Sequence, residues 1–135
     1  MLFRSLDLYF FRHLFGVLQL PVEPMLGAGL VAYTQEADAL EQAVNFTRFY
    51  RNESCGKCVP CRVGSQKLFQ LGTDLLARRD AGELTPSETA ALRGEVLEVS
   101  RAMQQTSICG LGYVAPIPLS SALAYFPDEV NGANA

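Results

Sequence analysis

Three cysteines at every third position, Cys55, Cys58 and Cys61 in ESCGKCVPCRVG, constrain this chain more than any other feature of it. The remaining cysteine, Cys109, comes much later, in QTSICGLGYVAP. Thiols packed this closely are oxidised in pairs, bonded to metal or kept reduced, and the compartment decides which. Secretion finds little support. The opening MLFRSLDLYFFRHLFGVLQL is apolar, but Arg4, Asp7, Arg12 and His13 interrupt it and no small-x-small cleavage site follows. It is too short and too charged to span a membrane. Leu6, Phe10, Leu14 and Leu18 recur every four residues, the pattern of an amphipathic helix, with His13 on or beside it and without a chemical role. Cytoplasm is the expected compartment, with peripheral attachment to the cytoplasmic side of a membrane complex left open.

A length of 135 residues, 49% of them apolar, suits one domain with a compact core. A net charge of −3 and the absence of a basic surface argue against a nucleic-acid binder. The one basic pair, Arg78-Arg79, falls where a helix ends, a position that favours cations near terminal carbonyls and needs no ligand.

The pattern predicts a mainly α fold: a small four-helix bundle with two cysteine loops at one end, preceded by a short strand. PVEPMLGAGLVAY reads as a turn-rich linker followed by a brief strand, Leu30 to Tyr33, with linker and strand assigned to residues 25–35. Residues 36–130 form the helical domain and 131–135 a tail. Ala37, Leu40 and Val44 define the stripe of the first helix, widened by Phe46, Phe49 and Tyr50. Pro60 opens the second, where its missing N–H costs nothing, and Leu68, Leu71, Leu75 and Leu76 follow at helical spacing. TPSE sets Thr85 as N-cap, Pro86 first and Glu88 as partner in a capping box. Leu92, Val96, Val99 and Met103 make the next buried face, with Met103 as core filler rather than ligand. Leu119, Ala122, Leu123 and Phe126 face inward on a last short helix that Pro127 stops. The second and third helices run out and back, returning Cys109, in its glycine-bearing loop, towards Cys61.

Three chemistries compete for the thiols. Disulfides need an oxidising compartment and leave the regular spacing without purpose. A structural zinc site is possible with four thiolates, but such sites usually draw two pairs from two knuckles, and here the split is three and one. A cubane iron–sulfur cluster fits better: a loop with thiols at every third residue wraps three corners, and a distant residue must close the fourth. The reading is one [4Fe-4S] centre on Cys55, Cys58, Cys61 and Cys109. Lys57, Arg62 and helix-start N–H groups can offset its negative charge, or the two cations are simply solvated. Gly56, Gly64, Gly110 and Gly112 let the backbone bend close to the sulfurs, or mark ordinary turns.

ESCGKCVPCRVG followed by SICGLG closely resembles the C-terminal iron–sulfur domain of the NADH-binding flavoprotein subunit of respiratory complex I, shared with subunits of NAD-linked hydrogenases and soluble formate dehydrogenases. The likeness runs from about Met25 to Glu129. It implies a four-helix bundle whose four cysteines are redox ligands, with Gly56, Lys57, Pro60, Arg62 and Gly110 in support. It also implies a relay in which electrons reach the cluster from FMN, reduced by NADH, and leave for iron–sulfur centres of partner subunits. No general acid, base or nucleophile is implied. The family's upstream FMN- and NADH-binding domain has no counterpart here, since GAGL lacks the strand–loop–helix context of a dinucleotide site. These residues alone are therefore not expected to oxidise NADH. Residues 1–24 match nothing in the family and are expected to be either the helix of a self-standing small protein or a product of truncation. A structural zinc-binding interaction module is the rival function, and a regulatory iron–sulfur sensor a weaker third.

Overall fold

The computed structural model describes residues 33–34 and 37–132, and the elements below belong to the compact unit Glu36–Ala135. All regular structure among the described residues is helical: α1 Ala39–Glu53, α2 Val59–Asp80, α3 Pro86–Thr106, α4 Gly110–Val114, α5 Ile117–Tyr125 and α6 Pro127–Val130. The mainly α expectation holds, and α1, α2, α3 and α5 are the four helices that the periodicity predicts. The leader helix, and the strand up to its last residue, lie outside the described residues. Tyr33 itself is in no strand.

Two of the long helices, α1 and α3, start at a side-chain cap, whereas α2 starts at Cys58 without one. Asp38 accepts the Glu41 N–H at 3.0 Å to open α1. Thr85 and Glu88 close the reciprocal capping box of α3, with Thr85 N–H donating to Glu88 Oε2 at 3.0 Å. Helix α2 and its neighbours run antiparallel, because contacts pair rising with falling residue numbers. Lys67 meets Glu95 at 2.7 Å and Arg78 meets Glu88 across α2–α3. Arg51 lies over the Phe69 ring, 4.2 Å from its centroid, and Arg79 pairs with Asp38 across α1–α2.

The core is one cluster drawn from every helix but α4: Leu40, Val44, Leu68, Leu71, Leu75, Val96, Met103, Leu119, Leu123 and Val130. Each large aliphatic side chain buried there contributes about 1.5–3 kcal/mol relative to exposure. Gly64 lets α2 approach α3, since a Cβ there would overlap the Met103 sulfur. Gly72 does the same towards Val44 and Leu119, at 3.1 and 3.5 Å.

Some sequence expectations need correction. Phe46 and Phe49 do not widen the buried face of α1 but are exposed, Phe49 by 54%. Thr47 is buried in their place, its hydroxyl satisfied by Ala43 O at 2.7 Å. Phe126 is likewise exposed, because the backbone leaves the helix there, and Val130 of α6 fills the core at that end. Pro127 does not merely stop a helix; it stands in the first turn of α6. The loop expected after Cys109 folds as α4. Finally, Arg78 and Arg79 are not turned towards helix-end carbonyls alone: they pair with Glu88 and Asp38.

Candidate metal centre

Two connections carry all four cysteines. Helix α1 ends at Glu53, and Ser54 takes an extended backbone that leads into Cys55. Gly56 then turns the chain with φ 72°, a conformation that favours glycine. Cys58 is the N-cap of α2, Pro60 lies in the first turn and Cys61 follows on the same side of the helix. The second connection leaves α3 at Ser107, and Cys109 is the N-cap of α4. None of the four is in a disulfide in this structure. Cys61 is buried, Cys58 half-buried, and Cys55 and Cys109 exposed.

The two connections meet. The backbone N–H of Ile108 faces the Cys58 sulfur and, with that of Cys61 next in importance, holds the Cys58 thiol below its ordinary value. The Ser107 side chain adds a smaller contribution without closing a hydrogen bond of its own. Gly112 makes this close fit possible. A Cβ there would overlap the Ser107 side chain and come within 3.3 Å of Cys61 Cβ. Ser54 completes the surroundings, with its Oγ 3.4 Å from Cys61 Sγ and accepting the Gly56 N–H at 3.4 Å.

The supporting residues are placed unevenly. Arg62 reaches back to Gly56 O at 3.5 Å and so braces the cysteine turn. Lys57 is exposed. Gly110 has no positive φ, and a Cβ there would meet nothing within 4 Å, so no close approach demands a glycine. Ser54, Ser107 and Ile108, which sequence reasoning passed over, stand beside the sulfurs. Their only sequence signal is adjacency to Cys55 and Cys109.

Free thiols, backbone donors aimed at sulfur and a buried Ser107 hydroxyl with no partner suit an anionic, sulfur-rich group. Among the described residues no three of Cys, His, Asp and Glu converge as ligands of one ion. A mononuclear tetrahedral site would need its thiolates about 2.3 Å from a common centre. A cubane instead takes one thiolate per iron and spreads them apart.

The fold and site thus define a class: a small helical domain that presents free cysteines from two adjoining helix starts. Residues 41–133 match the family described as the NADH-ubiquinone oxidoreductase-F iron-sulfur binding region, and the chain belongs to that family. It is 37% identical over 100 residues, 74% of this chain and 22% of the relative, to the NADH-quinone oxidoreductase F-subunit of Aquifex aeolicus (strain VF5). It is 31% identical over 103 residues to the mitochondrial NADH dehydrogenase [ubiquinone] flavoprotein 1 of Dictyostelium discoideum, 76% of this chain and 20% of that one. The NADP-reducing hydrogenase subunit HndC of Solidesulfovibrio fructosivorans is 31% identical over 106 residues, 78% of this chain and 20% of the relative. The chain therefore spans about a fifth of the length of these curated relatives. Among the described residues no helix is long and apolar enough to cross a membrane.

Proposed function

We propose that residues 36–130 are the electron-relay module of an NADH-dependent oxidoreductase and hold one [4Fe-4S] cluster through Cys55, Cys58, Cys61 and Cys109. The observation that carries this is the meeting of the two cysteine connections, where Ser107 and Cys61 Cβ both lie against Gly112. When bound, the cluster supplies a one-electron site between FMN, reduced by NADH in another domain, and iron–sulfur centres of partner subunits. The chain's own residues bind and orient. Gly56 and Arg62 shape the turn that presents Cys55 and Cys58, and the first turn of α2 presents Cys61. Backbone N–H groups at Cys61 and Ile108 stabilise thiolate charge. Hydride acceptance needs a flavin site these residues do not supply. Relatives named as quinone, ubiquinone and NADP enzymes share the module, so the final acceptor lies with the partners. The complex would work on the cytoplasmic side, touching a membrane only through other subunits.

Anaerobic reconstitution with iron and sulfide tests this directly. The expected product is brown, carries about four irons per chain and becomes paramagnetic on one-electron reduction. Colourless protein with about one zinc and no iron would instead support the structural zinc module.

A further inference from the structure

Each cysteine connection carries a serine whose hydroxyl lies against the sulfurs. Ser54 Oγ is 3.4 Å from Cys61 Sγ, and the Gly56 N–H donates to the same oxygen at 3.4 Å. That amide takes one lone pair of the oxygen and leaves the hydroxyl proton free to be donated. A ligating thiolate has no proton and can only accept. The direction of the contact is therefore fixed: Ser54 donates and Cys61 accepts. Ser107 reaches the same place from the other connection. Its Oγ is buried without a hydrogen-bond partner, a condition that is costly in a native interior. Its side chain fills the space that a Cβ on Gly112 would need, beside Cys61 Cβ, so it is confined next to the sulfurs.

We propose that Ser54 and Ser107 donate hydrogen bonds to the sulfurs of the iron–sulfur centre, one from each connection, and together set its reduction potential. This rests on the iron–sulfur reading above. Reduction adds negative charge that spreads onto the sulfurs, so a donor stabilises the reduced form more than the oxidised one. Removing a donor lowers the potential. A charge-assisted bond of this kind should move the one-electron equilibrium by about tenfold, equivalent to about 59 mV.

The test is a dye-mediated redox titration, followed by paramagnetic resonance, of the reconstituted full chain and of Ser54→Ala, Ser107→Ala and Ser54→Thr. Iron and sulfide are measured on each. The alanine variants should keep their iron and titrate at lower potential, and Ser54→Thr, which restores the hydroxyl, should return to the parental value. Iron-loaded alanine variants with unchanged potentials overturn the serine assignment and leave the iron–sulfur reading intact. A parental protein that takes up no iron overturns that reading itself. Should Ser54→Ala hold no iron, Ser54→Thr decides. Loading at the parental potential supports the hydroxyl's role, and failure to load refutes it.

Discussion

Cys58 couples the two ends of the site at the scale of a single residue. Its sulfur faces one backbone N–H from its own helix, at Cys61, and one from the distant connection, at Ile108. A thiolate there is fully stabilised only while both connections are in place, so Cys109, the proposed ligand next to Ile108, should matter as much as Cys58 despite its separation in sequence. Outer-shell partners typically change metal affinity about 10–100-fold, and loss of a direct ligand should cost at least that. Cys109→Ser and Cys58→Ser should therefore lower four-iron occupancy alike, read by iron content and visible absorbance after identical reconstitution. A three-iron product in either variant is compatible with four ligands; an intact four-iron centre in Cys109→Ser at parental yield is not. The cysteines stand out in the sequence because regular thiol spacing has few other uses. Ser54, Ser107 and Ile108 do not. A serine or an amide beside a cysteine carries no signature until the chain has folded and one connection has been set against the other.

At the scale of the element, capping chemistry was legible and short structure was not. Thr85, Pro86 and Glu88 announce the start of α3 because a capping box is local and side-chain encoded. Helix α4 escaped notice because it is five residues long, two of them glycine, and has no side-chain cap. The aromatic residues misled for a different reason. Hydrophobic periodicity counts Phe46 and Phe49 as core, yet Thr47 takes the buried position by giving its polar group to Ala43 O. The capping box has a pH signature. Bonds from the Thr85 hydroxyl first, then the Thr85 N–H and Arg78, hold Glu88 down to about 2 from 4.5. A carboxylate depressed in the folded state stabilises fully above its unfolded value and loses that contribution as pH falls through the folded one. Helix stability should thus drop as pH is lowered between about 4.5 and about 2. Melting followed by far-ultraviolet dichroism should show a steeper drop in the parent than in Glu88→Gln, and parallel curves would contradict the capping role. Gly64 gives a second test. Replacing a mid-helix glycine by alanine normally stabilises by about 0.5–1 kcal/mol. Here the new methyl would overlap the side chain of Met103, which is itself buried to 1% exposure and so must repack among the core residues to make room. Overpacking of about 1–3 kcal/mol should win, and Gly64→Ala should denature at lower urea concentration.

At the scale of the whole molecule, the two ends of α2 do different work. Its 22 residues span about 33 Å by helical rise, with cysteines at the start and a polar clasp at the finish. There Arg79 pairs with Asp38 and reaches Glu129 O at 3.4 Å, while Glu129 Oε2 accepts the Ala39 N–H at 2.9 Å. The clasp ties α1, α2 and α6 together through residues far apart in sequence. Between the ends, the buried leucines of α2 pack against α1, α3 and α5 in a cluster that includes no cysteine, and only Cys61 of the four cysteines is buried. Many small metal domains unfold when stripped, because the metal substitutes for a core. This one has a core of its own, so removing iron should release the cysteine connections and spare the helices. Stripping the reconstituted protein with chelator under reducing conditions should keep most of the helical dichroism and a cooperative melt. The midpoint should fall, because a group that binds only the folded state no longer stabilises it. Amide exchange should accelerate first around residues 54–61 and 107–112, and last around Leu68, Leu75 and Leu119. Collapse of helicity across the whole chain on iron removal would mean that the centre, rather than the leucine core, organises the fold.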